Sequence, residues 1–122
     1  MCKILLSINP QHVEKIMNGK KLYEFRKIEC KEKVEKIVIY STAPVMKIVG
    51  EADVDDIIVN QPELVWKKTF KHAGVSKDFF DMYYKDKNKA VAFKLTNVKQ
   101  YENPKELSQY GIKYAPQSFV YI

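Results

Sequence analysis

The chain is poor in the residues on which many enzyme classes depend. It has two cysteines, Cys2 and Cys30, too few and too far apart to frame a disulfide scaffold or a zinc site. They read as free thiols in a reducing compartment. The two histidines, His12 and His72, fall on predicted helix surfaces, and no Cys-x-x-Cys pair accompanies them. Metal catalysis and cysteine or serine triads therefore lack their usual parts, and no metal or cofactor is expected. None of the four glycines belongs to a Gly-x-Gly-x-x-Gly or a phosphate-binding P-loop, and there is no Gly-x-Ser-x-Gly. No apolar run reaches membrane-spanning length, and the opening MCKILLSINP is too short for a signal peptide. Repeats, low-complexity tracts and linkers are also missing. The expectation is a single domain over residues 1–122, cytoplasmic, with no membrane contact.

What is present is a folded, charged chain. Of its 122 residues, 46% are apolar and 30% charged, the balance of a globular protein long enough to bury a core without staples. The net charge is +6 and uneven. Residues 1–61 carry ten Lys and Arg against nine Asp and Glu, whereas residues 62–122 carry eleven against six. A basic half favours a polyanionic partner such as nucleic acid. A lysine-rich solvated surface is the alternative.

The apolar run KILLSI (3–8) reads as a strand, broken by Asn9-Pro10. Asn9 suits an N-cap and Pro10 a first helical position, so residues 10–18 are a short helix stopped by Gly19. Residues 21–27 follow as a strand and 28–35 as a charged, exposed loop. KIVIY (36–40) is a β-branched central strand ending at Ser41-Thr42-Ala43-Pro44. Residues 45–59 are one long strand or two joined ones, with Gly50 marking a bulge or a close backbone approach. Two helices start at Pro62 and after Ser76. The second carries Phe79, Phe80, Met82, Tyr83 and Tyr84, and a basic loop, KDKNK, follows it. Lysines beside aromatics suit single-stranded nucleic acid, although the same aromatics serve equally as core. Ala90–Val98 is a further strand, Tyr101–Asn103 a turn, Pro104–Tyr110 a helix, and the tail a closing strand. Strands without regular crossover helices point to a mixed or antiparallel sheet.

The stretch Gly19-Lys20-Lys21-Leu22-Tyr23-Glu24-Phe25-Arg26 concentrates opposite charge where a helix hands over to a strand. Regular alternation places Lys21, Tyr23 and Phe25 on one face and Leu22, Glu24 and Arg26 on the other. Glu24 and Arg26 are then close enough to pair. Lys21 joins them only if the chain bends near Leu22. With no other catalytic constellation in view, carboxylate and lysine chemistry remains, on Lys21, Glu24 and Glu51.

GKKLYEFR fits the pattern Gly-x-Lys-x-x-Glu-x-Arg, and the chain resembles the ASCH family, a branch of the PUA-like β-barrels. LLSINP with its helix, the strands IVIYSTAP and KIVGEADV, and the closing PQSFVYI stand in the order seen in small bacterial ASCH proteins. The resemblance implies an α+β fold, a PUA-like small mixed or antiparallel β-barrel with flanking helices. It leaves residues 62–88, approximately, as a helical insert. It also implies a cleft lined by the motif and a partner that is RNA or a nucleotide-like small molecule. The candidate ligand-binding residues are Lys21, Glu24, Arg26, Ser41, Glu51, Gln117 and Ser118. In the acetylcytidine amidohydrolase branch, a lysine, a threonine and a later glutamate carry hydrolysis. Lys21 matches the lysine and Glu51 the later glutamate, but Glu24 stands where the threonine would be and supplies no hydroxyl. Two expectations follow, a non-catalytic RNA or nucleotide binder, and a hydrolase of a modified nucleoside or of RNA using Lys21, Glu24 and Glu51. A protein-interaction surface on the aromatic helices is a third. The resemblance requires Lys21 and Glu24 to converge, so the backbone should leave strand geometry between Gly19 and Glu24.

Overall fold

The computed structural model describes residues 2–122. The chain runs through strand β1 (Lys3–Ile8), helix α1 (Pro10–Met17), and strands β2 (Tyr23–Arg26), β3 (Lys36–Ser41) and β4 (Lys47–Asn60). Helix α2 (Pro62–Thr69), a 3-10 turn (Phe70–His72) and helix α3 (Lys77–Tyr83) follow. Strand β5 (Ala90–Lys105), a second 3-10 turn (Leu107–Tyr110) and strand β6 (Phe119–Tyr121) complete it. The six strands make one sheet in the order β2-β5-β4-β3-β1-β6. Only β1 and β3 pair in parallel among these neighbours; the others are antiparallel. The mixed sheet curls into a half-barrel with the three helices beside it, an α+β, PUA-like architecture. A parallel pair needs a crossover connection, and the segment carrying α1 supplies it.

Local chemistry accounts for the helices. Asn9 caps α1, its Oδ1 accepting from the Gln11 amide at 3.1 Å, with Pro10 in the first turn. Gly19, at φ +81°, takes the left-handed turn that ends it. Ser76 caps α3, its Oγ accepting from the Phe79 amide at 3.1 Å. No helix among the described residues is long and apolar enough to cross a membrane.

The continuous apolar runs of β1 and β3 are explained by burial on both faces. Ile4, Leu6, Ile37, Ile39, Val91 and Phe93 meet Val13 and Ile16 of α1 on one side. Leu5, Val38, Tyr40 and Ile48 pack on the other side against Leu107, Tyr110 and Val120. A further cluster joins Tyr23, Phe25, Ala90 and Ala92 to Val65, Ala73, Phe80 and Tyr84 of the helical segment.

Two local expectations need correction. Residues 101–103 are not a turn and 104–110 not an α-helix: β5 runs unbroken to Lys105, and only a 3-10 turn follows. Beyond Leu95 this strand keeps β4 as its partner but has left β2, so one side is an edge that tolerates Pro104. Strand β4 is a single strand whose register slips beside Gly50. A Cβ on Gly50 would lie 2.4 Å from the Lys99 carbonyl oxygen, inside van der Waals contact. Gly50→Ala is therefore expected to lower stability by about 1–3 kcal/mol, since rigid backbone must move. A urea midpoint equal to wild type would contradict this close approach.

Candidate functional site

The site begins where α1 ends. The amides of Lys20 and Lys21 both turn back to the Lys15 carbonyl, at 2.9 and 3.0 Å. The Leu22 amide then donates to the His72 carbonyl at 2.9 Å, while the Leu22 carbonyl accepts from the Leu95 amide at 2.8 Å. Leu22 thus bridges the helical segment and β5, and regular strand starts only at Tyr23. This departure from period-two geometry lets Lys21 and Glu24 meet. Tyr23 and Phe25 point into the helical cluster, leaving Glu24 and Arg26 on the other face.

Three charged side chains converge there, all largely withdrawn from solvent. Glu24 Oε2 accepts from Arg26 Nη2 at 2.7 Å, and Glu24 Oε1 lies 3.8 Å from Lys21 Nζ. Arg26 Nη2 also donates to the Ser7 carbonyl at 3.0 Å. Lys21 is 2% exposed, donates to the Ala73 carbonyl at 2.8 Å, and sits 4.7 Å from the Phe25 ring centroid. Burial pushes its ammonium below the ordinary value, with Glu24 pulling the other way. The lysine stem needs Gly74, at φ +72°, because a Cβ there would lie 2.5 Å from Lys21 Cβ. One carboxylate is thus shared by two cations.

These three residues floor a cavity of about 150 Å³. Ser7 and Asn9 stand at one side, and His12, Phe79 and Tyr83 form an aromatic wall. The His12 and Phe79 rings meet edge-on at 5.4 Å, and Phe79 lies nearly parallel to Tyr83 at 6.4 Å. Lys27 Nζ rests 4.5 Å from the Tyr83 centroid. Burial and the Lys21 charge push the His12 imidazole down, and burial pushes the Tyr83 phenol up. Two buried atoms here, His12 Nδ1 and Arg26 Nε, find no hydrogen-bond partner among the described residues.

The structure brings Lys21, Glu24 and Arg26 together and leaves Glu51 elsewhere. Glu51 accepts from Lys36 Nζ at 2.6 Å and from Tyr101 Oη at 2.8 Å, and the Lys36 bond holds its carboxyl low. It does not line the cavity, so Lys21, Glu24 and Glu51 do not converge. Ser41 is buried opposite Ile8 in the β1–β3 ladder. Gln117 and Ser118 do not line the cavity and lie in the segment that braces Ser7. The Ser7 amide donates to the Ser118 carbonyl at 3.0 Å, and Ser7 Oγ donates to the Pro116 carbonyl at 2.6 Å. His12, expected as a surface residue, lines the cavity instead, because α3 closes over that face of α1. Ser7 and Asn9 are lining residues that sequence reasoning did not select, while Phe79 and Tyr83, read there as nucleic-acid aromatics or core, were not among the candidate ligand-binding residues. The lysine-rich aromatic run around Phe79 was the available signal. Among the described residues no group of three or more His, Cys, Asp and Glu is placed to hold a metal ion.

Residues 3–115 match the family described as "Domain of unknown function (DUF365)". The chain belongs to the DUF365 family. It also has the ASCH domain fold: the crystal structure of ASCH from Zymomonas mobilis superposes with a TM-score of 0.88 at 26% identity, over 98% of this chain and 87% of that one. Among curated relatives, this DUF365 chain is 32% identical over 120 residues to the large ribosomal subunit protein uL22 of Ureaplasma parvum. That match covers 98% of this chain but 39% of the relative, so the chain spans about two-fifths of the first relatives' length. An ASCH domain-containing ribonuclease of Zymomonas mobilis is 30% identical over 92 residues, covering 75% of this chain and 62% of the relative.

Removing the shared carboxylate should be costly. Glu24→Ala leaves two buried cations unpaired, an expected loss of about 3–5 kcal/mol. Lys21→Met keeps the Glu24–Arg26 pair and should cost less in the same urea titration. The pH dependence has a definite sign. A lysine held below its ordinary value of 10.5 penalises the folded state at neutral pH, and the penalty fades as pH rises toward 10.5. The stability difference between wild type and Lys21→Met should therefore move in favour of wild type with rising pH. A difference independent of pH would rule out a charged, desolvated Lys21.

Proposed function

We propose that this domain acts on RNA and takes part of one nucleotide of the strand into the cavity floored by Lys21, Glu24 and Arg26. The observation that carries this reading is the charge imbalance of the floor. Two buried cations share one carboxylate, and Arg26 keeps a buried N–H without a partner among the described residues. Such a floor lacks an anion, and a phosphodiester oxygen supplies both the charge and the acceptor. The aromatic wall offers flat faces beside it, which suits an unpaired base. At about 150 Å³ the cavity is smaller than those that enclose a drug-sized ligand. It fits a phosphate with part of its sugar, or a base, and leaves the rest of the strand on the basic exterior. The Zymomonas relative described as a ribonuclease supports RNA as the partner.

A hydrolytic reading has its own support in Lys21, a buried lysine whose proton is loosened by desolvation and can therefore exchange with a reacting group. With Glu51 tied to Lys36 and Tyr101, hydrolysis of RNA or of a modified nucleoside would rest on Lys21 and Glu24 alone. The test is a titration of labelled hexauridylate at two salt concentrations, followed by incubation to look for cleavage. Binding should weaken with salt, with a log-log slope of about 0.7 for each phosphate contact on a single strand. Lys21→Met and Arg26→Gln should each weaken binding by about tenfold, the equivalent of one charged hydrogen bond. No binding at low salt would reject RNA as the ligand, and cleavage unchanged in Lys21→Met would reject the hydrolytic role.

A further inference from the structure

One wall residue has properties that a purely cationic floor does not call for. His12 lines the cavity, and its Nδ1 is buried with no hydrogen-bond partner among the described residues. The ring does not need to be ordered on binding, because Phe79 already holds it edge-on at 5.4 Å and 68°. Its charged surroundings are known from every element that packs against it. Lys21 and Arg26 press from the floor as cations and Glu24 as an anion. Lys15 adds a cation from the same helix, and α3 contributes Phe79, without charge, and the Tyr83 phenol. In the empty cavity, burial and these cations favour the neutral imidazole.

We propose that His12 is a ligand-contacting residue, and that a phosphate group entering the cavity is clasped between Arg26 and a His12 that takes up a proton as it binds. The proposal rests on the RNA reading above. The phosphate reverses the sign of the charge beside the ring, so imidazolium becomes the favoured form. Once protonated, Nδ1 is a donor, and a phosphate oxygen gives it the partner it lacks. The Arg26 Nε proton is met by the same group. Proton uptake follows from this order of events. The occupied site holds the His12 proton more tightly than the empty one, so affinity is highest at low pH and falls as pH rises through the occupied-site value.

Calorimetry of hexauridylate binding at neutral pH, in buffers of different ionisation enthalpy, counts the protons. Wild type should take up a substantial fraction of one proton, about half, and its affinity should fall roughly fivefold between pH 6 and pH 8 if occupancy raises the His12 value by about one unit. His12→Gln, which keeps a hydrogen-bonding side chain, should bind more weakly, take up no proton and lose the pH dependence. Imidazole resonances of wild-type His12, followed by NMR with and without the RNA, read the same event without any substitution. RNA binding with no proton uptake, or with uptake unchanged in His12→Gln, would overturn the role of His12 while leaving the RNA reading intact. A neutral Nδ1–H tautomer donating to the phosphate would give the first of these results. No binding at any pH would overturn both.

Discussion

The site depends on one carboxylate. Glu24 sits between Arg26 and Lys21, and without it two buried cations would face each other across a low-dielectric space. Most neighbouring features serve this arrangement. The turn at Gly19 aims Lys21 back toward β2, Gly74 makes room for the lysine stem, and the Ser7 carbonyl takes a second bond from Arg26. Burial gives these contacts their strength and also their cost. The same pairs on an exposed face would contribute little.

Comparison with Glu51 makes the point. Both glutamates accept two close bonds from neighbouring side chains or approach two cations, and both lie on strands. Yet the Glu51–Lys36 pair is one-quarter exposed on each side, whereas the Glu24 side chain is 8% exposed. Glu51 is balanced by its own lysine and by the Tyr101 hydroxyl, and it does not line this cavity. Glu24 is over-subscribed by positive charge and faces a void. Imbalance beside a cavity, rather than the presence of an acid, separates the Glu24 cluster from the Glu51 ion pair.

Much of this was readable from the chain. Asn9-Pro10, Gly19 and Ser76 marked helix ends through their own backbone chemistry, and Gly50 marked a close approach. The motif Lys21, Glu24 and Arg26 pointed to the floor. Other features depend on long-range packing that no local pattern encodes. The continuation of β5 through Pro104 reflects an edge created when β2 ends. His12 reads as a surface residue on α1 alone, because the wall that encloses it, Phe79, lies far along the chain. Glu51 follows a bulge-prone glycine as expected, but its direction is decided by Lys36 and Tyr101 on neighbouring strands.

The short segment between α2 and α3 ties the molecule together in a less obvious way. Three successive carbonyls, of His72, Ala73 and Gly74, accept from the Leu22 amide, Lys21 Nζ and Lys15 Nζ. The helical segment is therefore fastened to the motif through backbone oxygens. If it lifts even locally, an ammonium loses its buried acceptor at the moment water reaches it. Opening there would flood the floor and dissolve its charge imbalance, so the helices and the motif should fluctuate as one cooperative unit.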